Sequence, residues 1–277
     1  METFFASIIE LFDMTMLIPE PYGIFHICFV IITALSCFLL CRFFPAPSEK
    51  DLRRILLIYA IICLALEVYK QLSFTFGVND AGEITSSYQW YVFPFQFCSI
   101  PMYVALLGAL IPNRKFLHGA ISFLATFGVI AGVLVMVTAN AVFTDTVGIN
   151  IQTMMHHGGQ LCIGLFLLIR GGGCKTIGAE LGGVGFFLSA VSIAHILNIT
   201  FIRFIPEGAV FDMFFISPHF ETSLPVYNNI EPAVSFPVFI ILYILPFITV
   251  SLLMYACKTA IPRLISDRKE RKAAKIN

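Results

Sequence analysis

The stretch Pro94-Phe95-Gln96-Phe97-Cys98-Ser99-Ile100-Pro101-Met102-Tyr103 opens an apolar run that continues to Ile111. It sets an amide, a thiol and a hydroxyl where a membrane helix is expected to be apolar. A polar group facing lipid has no water partner and costs free energy, so several within one turn point to an inward polar face or a cavity. The other polar residues of the apolar runs fall at the same depth, and the fold is read outward from here.

Around this stretch the chain is 58% hydrophobic and 12% charged, where a soluble domain carries roughly 25% charged residues. The composition predicts an all-α, polytopic membrane bundle. Crossing the hydrocarbon takes about 20 apolar residues, and seven candidate spans meet that length, over residues 22–44, 52–76, 93–111, 116–138, 152–169, 177–202 and 232–257. Residues 1–21 then form an amino-terminal interfacial segment, 22–257 the seven-helix transmembrane domain and 258–277 a basic tail.

Charge sets the orientation. Arg42, Lys50, Arg53, Arg54, Arg114, Lys115, Arg170, Lys175 and the tail, which includes Lys258, Arg263, Arg268 and Lys275, all fall on one side of seven spans. The opposite side holds Asp80, Glu83, Asp145, Glu207, Asp212, Glu221 and Glu231, with Lys70 and Arg203 near span ends. Positive charge marks the cytoplasmic face, so the amino terminus is expected outside and the carboxyl terminus in the cytoplasm of a multi-pass cell-membrane protein. Net charge is zero and the basic residues sit in short loops and the tail, which excludes a nucleic-acid surface. The eight cysteines lie in or beside apolar runs, so no disulfide framework is expected. Residues 1–20 carry Glu2, Glu10 and Asp13 without a Lys or Arg. That pattern reads as an interfacial helix rather than a cleaved signal. Gly178, Gly182 and Gly183 have the small-residue spacing that lets membrane helices approach closely.

The polar intramembrane residues form one layer. Glu67, Lys70 and Gln71 share a face in the outer third of 52–76, and the acid precedes the amine by three residues, a spacing at which they pair. His156, His157 and Gln160 occupy the first turns of 152–169; Gln152 and Gln160 stand four residues to either side of His156, which favours His156 over His157 as the inward residue. His195 and Asn198 end 177–202, and Tyr227 and Asn228 precede the last span. Cys98 is level with His156. A membrane cysteine is by default a small hydrophobe, but an imidazole at the same depth can take its proton and leave a nucleophilic thiolate. Ideal helical phase puts Gln96, Ser99 and Tyr103 on one face and turns Cys98 away, so Ser99 stands as an alternative nucleophile, with Pro94 and Pro101 disturbing that phase.

The stretch at 94–98, His156-His157-Gly158 and the Tyr227-Asn228 pair resemble the YwaF family of bacterial integral membrane proteins, related to the vertebrate transmembrane protein 164 family. The resemblance covers about 22–257. It implies a lipid acyltransferase with a membrane-embedded cysteine and histidine, which by position are Cys98 as nucleophile and His156 as base.

Two function classes are weighed. In the first, the pair catalyses acyl transfer or ester hydrolysis on a lipid, with Gln96, Ser99 or Asn198 donating to the oxyanion. In the second, the same layer, with Glu67 or His195 relaying protons, is the solute site of a transporter or ligand-binding protein. A metal hydrolase using His156, His157 and His195 is a weaker third, since no His-Glu-x-x-His pattern occurs. No cofactor or metal is expected, and the partners are the bilayer and a membrane lipid substrate or small ligand. The segment 203–231 carries too many apolar residues for a solvated loop and is expected to fold back over the bundle.

Overall fold

The computed structural model describes residues 2–138 and 142–273, with side chains described within 5–260; Lys275 of the expected basic tail lies outside the described residues. The described residues are mainly helical: α1 (Glu2–Phe12), α2 (Ile24–Phe43), α3 (Glu49–Ser73), a short hairpin of β1 (Phe76–Val78) and β2 (Ile84–Ser86), α4 (Ile100–Leu110), α5 (Arg114–Phe123), α6 (Val129–Val137), α7 (Val147–Ile169), α8 (Ile177–Phe201), α9 (Tyr227–Ile230) and α10 (Phe236–Ala273). Local chemistry starts several of these. Ser48 and Asp51 close a reciprocal capping box on α3, Asn113 accepts from Phe116 N at the head of α5, and Thr176 accepts from Ala179 N on α8.

Among the described residues, six stretches are long and apolar enough to cross a membrane: Ile24–Phe43, Glu49–Ser73, Trp90–Leu110, Arg114–Val137, Ile177–Phe204 and Phe236–Ala260. The fourth is built from α5, a π-helical stretch at Leu124–Gly128, and α6. Seven spans were expected, and the fifth of them coincides with α7, which extends over 23 residues. That is about 35 Å at 1.5 Å per residue, but α7 is not among the six apolar stretches. What sets α7 apart is polarity, because Gln152, His156, His157 and Gln160 are all on it and all buried.

α7 is nonetheless central, in contact with α2, α3, α5 and α6. Without a hydrophobic force between helices in lipid, close packing and interhelical hydrogen bonds hold such a bundle together. A Cβ on Gly158 would fall against Thr33 Oγ1 of α2. On the other flank, a Cβ on Gly182 would meet the Gly119 backbone at 3.0 Å and one on Gly183 would meet Phe123 N at 2.9 Å. These glycines let α5 and α8 touch along their backbones. Gly178, grouped with them by spacing, faces open space.

Segment 205–226 folds back over the bundle end that also carries the hairpin. Phe211, Met213, Phe214 and Ile216 are completely buried. Phe211 packs on Phe93 and stacks on Phe201, and Phe214 packs on Phe95 and Phe97. From Phe97 an aromatic chain descends through Phe187 and Phe127 to Phe123 in the bundle core.

Candidate functional site

Three elements converge on the expected polar layer. On α3, Tyr59, Cys63 and Glu67 recur every fourth residue and make one buried stripe, which Gln71 continues. The stripe passes α7 in the opposite direction: the Tyr59 ring rests on Gly159, and the Tyr69 hydroxyl fills the place of a side chain at Gly148. His156 is therefore level with Cys63, between Tyr59 and Glu67. The stretch leading into α4 also runs antiparallel to α3. Arg53 Nη1 donates to the carbonyls of Gly108 and Ile111 (2.9 and 2.7 Å), and Gln71 Nε2 donates to Val92 O at 2.7 Å. This register sets Cys98 between Cys63 and Glu67.

The two registers meet at one contact. His156, 2% exposed, has Nε2 3.0 Å from the backbone carbonyl oxygen of Cys98. A carbonyl oxygen only accepts, so Nε2 carries the proton and Nδ1 is the basic nitrogen of the neutral ring. Nδ1 is buried and has no hydrogen-bond partner. The neighbouring His157 turns to its own helix, with Nδ1 donating to Thr153 O at 2.8 Å. Its ring meets that of His156 edge to face.

Phe97–Ser99 is a single 3-10 turn and α4 begins only at Ile100. The ideal helical phase that separates Cys98 from Ser99 therefore does not apply. Cys98 keeps part of its surface accessible. Ser99 is 1% exposed, its hydroxyl lies against the Cys98 thiol, and it makes no regular hydrogen bond.

Glu67 pairs with Lys70 at 2.8 Å. The same oxygen, Oε1, accepts from Gln71 Nε2 at 2.8 Å, and Gln71 Oε1 accepts from the Tyr88 hydroxyl at 2.7 Å. The Glu67–Lys70 pair is within electrostatic reach of both Cys98 and His156. Its second oxygen, Oε2, is buried without a partner, as is the Tyr59 hydroxyl. Buried polar groups are nearly always satisfied, so this concentration of open ones at a single level is chemically informative. Tyr59 and Ser99 offer hydroxyl donors; Glu67 Oε2 and His156 Nδ1 offer acceptors.

The remaining residues singled out by sequence are engaged elsewhere. Gln96 Nε2 donates to Asp212 O (2.9 Å) and Gln96 Oε1 accepts from Phe214 N (3.0 Å). Asn198 holds the Met213 peptide by both amide atoms, at 3.0 and 2.8 Å. Both side chains thus clamp the folded-back segment, where Phe214 and Phe215 sit in the left-handed region, at φ 61° and 59°. Two bulky residues there are strained, each by about 1–3 kcal/mol, and need such anchoring. Gln160 Nε2 donates to Gly128 O of the π-helical stretch at 3.0 Å. His195 stacks on Phe236 of α10, Tyr227 packs on Tyr243, and Asn228 lies exposed in a cleft with His219 and Glu231.

Sequence reasoning missed Tyr59 and Cys63, although the four-residue spacing from Tyr59 to Gln71 was there to read. It also missed two buried polar contacts outside this layer. His26 receives Tyr22 N at Nδ1 (2.9 Å) and donates through Nε2 to Met136 O (2.9 Å). Glu180 is fully buried on α8 and accepts from the Ser251 hydroxyl. Among the described residues no three of His, Cys, Asp and Glu converge as metal ligands.

No curated protein and no solved structure is significantly similar to the chain. The sequence profile of the TMEM164 family matches residues 21–255, every element from α2 through the apolar part of α10. This multi-pass membrane protein, with its polar layer at Cys98 and His156, belongs to the TMEM164 family.

Proposed function

We propose that the protein is a lipid acyltransferase or lipid-ester hydrolase on the YwaF branch of its family. Cys98 is the nucleophile and His156 the base. In this reading α7 is the fifth of seven spans, the amino terminus is outside, the carboxyl terminus is cytoplasmic, and the site lies near the outer leaflet of the cell membrane.

One observation carries the reading: the Cys98 carbonyl holds His156 as the Nε2–H tautomer and leaves the Nδ1 lone pair free, buried and at the level of the thiol. Nδ1 takes the thiol proton, directly or through one water. The thiolate adds to an ester carbonyl, and the π electrons move onto oxygen. Collapse re-forms the carbonyl, breaks the ester C–O bond and expels an alkoxide, which receives the proton from Nδ1. The acyl group remains on sulfur as a thioester. An acceptor hydroxyl then gives its proton to Nδ1 and attacks; collapse expels the thiolate, which takes that proton back from Nδ1 and completes the cycle. A lysolipid hydroxyl yields a new lipid, and water yields a free fatty acid. The Glu67 carboxylate stabilises the imidazolium formed in between.

The test is to incubate purified protein with phospholipid vesicles and search for an acyl group on Cys98 that hydroxylamine releases. The expected result is such an adduct in the wild type and none in Cys98→Ala. If the wild type stays unacylated while both proteins bind the lipid equally, the layer is a binding or transport site.

A further inference from the structure

The acyl-transfer reading above, on which this inference rests, leaves the oxyanion without a donor. Adding a thiolate to an ester puts a full negative charge on the carbonyl oxygen, and a preorganised donor there is worth a large rate factor. The amides that follow Cys98 supply none, and the N–H of Cys98 itself turns to its own thiol. Ser99 N donates to Gln96 O at 2.8 Å, Ile100 N donates to Phe97 O, and Pro101 has no N–H. Of the side chains expected from sequence, Gln96 donates to Asp212 and Tyr91 carbonyls, and Asn198 grips the Met213 peptide. The Ser99 hydroxyl lies against the thiol itself. Lys70 is paired with Glu67.

We propose that the Tyr59 hydroxyl is the oxyanion donor of this site. Tyr59 is 5% exposed, its ring rests on Gly159 of α7, and its hydroxyl is buried with no nitrogen or oxygen partner. Its one hydrogen-bonding neighbour is the Cys63 thiol, a weak acceptor, with the thiols of Cys98 and Cys162 within electrostatic reach. The hydroxyl is one turn from the level of His156 and within electrostatic reach of Cys98. A buried hydroxyl whose only neighbouring acceptor is a thiol is under-satisfied in the resting protein. Donating to the oxyanion removes that deficit in the transition state alone, which is how binding energy raises a rate. The ring's packing on Gly159 holds the hydroxyl in place, so no reorganisation accompanies the step.

Tyr59→Phe removes the hydroxyl and keeps the ring. Two reactions at Cys98 are compared in the purified wild type and variant. Acylation by an activated fatty-acyl ester forms an oxyanion, whereas alkylation by a haloacetamide displaces halide and forms none. Tyr59→Phe is expected to slow acylation by roughly 100-fold while alkylation keeps its rate. Acylation at an unchanged rate overturns the donor role and leaves the acyl-transfer reading standing. A parallel fall in both reactions also overturns it, because the hydroxyl would then only position the thiol. A wild type whose Cys98 alkylates but is never acylated overturns the acyl-transfer reading, and the donor role falls with it.

Discussion

His156 of α7 donates its Nε2 hydrogen to the backbone carbonyl of Cys98, 3.0 Å away, at the turn that starts α4. One hydrogen bond thus fixes the ring's tautomer, its orientation and its distance from the thiol-bearing residue. The contact brings the imidazole to the backbone of the residue that bears the thiol. An interhelical hydrogen bond inside a membrane is worth about 1 kcal/mol. Its value here is positional.

The Glu67–Lys70 pair is held at 2.8 Å with both side chains largely shielded. Removing one partner leaves a poorly solvated charge, so Glu67→Gln or Lys70→Met alone should destabilise the protein by roughly 3 kcal/mol. The double replacement should cost less than either single one. Unfolding in detergent followed through the full double-mutant cycle checks this; additive losses would show that the two groups do not interact.

Gly183 and Gly178 lie on the same helix with opposite surroundings. Gly183→Ala forces a methyl against Phe123 N at 2.9 Å, so α5 and α8 must separate, at about 1–3 kcal/mol. Gly178→Ala meets nothing within 4 Å and gains helix propensity. Melting temperatures in one detergent should fall for the first and hold or rise for the second. Equal shifts would contradict the close α5–α8 contact.

Asp212 makes the folded-back segment sensitive to pH. Burial, with Glu231 adding repulsion, pushes its carboxyl up to about 7, against the hydrogen bonds from Ser217 N and Ile216 N. In the folded chain the group stays protonated in a range where the unfolded chain has already ionised. Docking is therefore unpenalised below the usual carboxylate range and weakens as pH rises toward 7. Above that it stays at its weakest. Amide exchange of 212–217, corrected for intrinsic rates, should show less protection at pH 8 than at pH 5.5, and Asp212→Asn should remove the difference. A difference that survives in Asp212→Asn would assign it to another group.

Membrane orientation is tested by reporters fused after Lys50, Asn113, Arg170, Glu83 and Asp145. The seven-span arrangement predicts cytoplasmic signals at the first three and exterior signals at the last two. A cytoplasmic signal at Glu83 would reverse the chain, and the same side at Asp145 and Arg170 would remove α7 as a span.

Much of the polar layer was legible because depth is readable from span ends. Cys98, His156 and Glu67 each sit within a few turns of a charge-marked loop, and the Glu67–Lys70 pairing followed from three-residue spacing. The 3-10 turn Phe97–Ser99 was not, since an ideal helical phase gave Gln96 and Ser99 a common face that the real backbone lacks. Gln96 and Asn198 read as site donors because their partners, Asp212, Phe214 and Met213, belong to an irregular segment with no periodicity to place it. α7 stands outside the six apolar stretches because it carries polar residues, and those residues are buried against other helices.

Competitive labelling of Cys98 tests the central claim most directly. Purified protein is treated with a thiol-reactive lipid analogue, and modification of each of the eight cysteines is quantified by mass spectrometry. The account predicts that Cys98 is modified ahead of the other seven cysteines and that His156→Ala abolishes the preference, while His157→Ala largely preserves it. Equal labelling of Cys98 and the accessible Cys28 and Cys257 in the wild type, unchanged in His156→Ala, would contradict it.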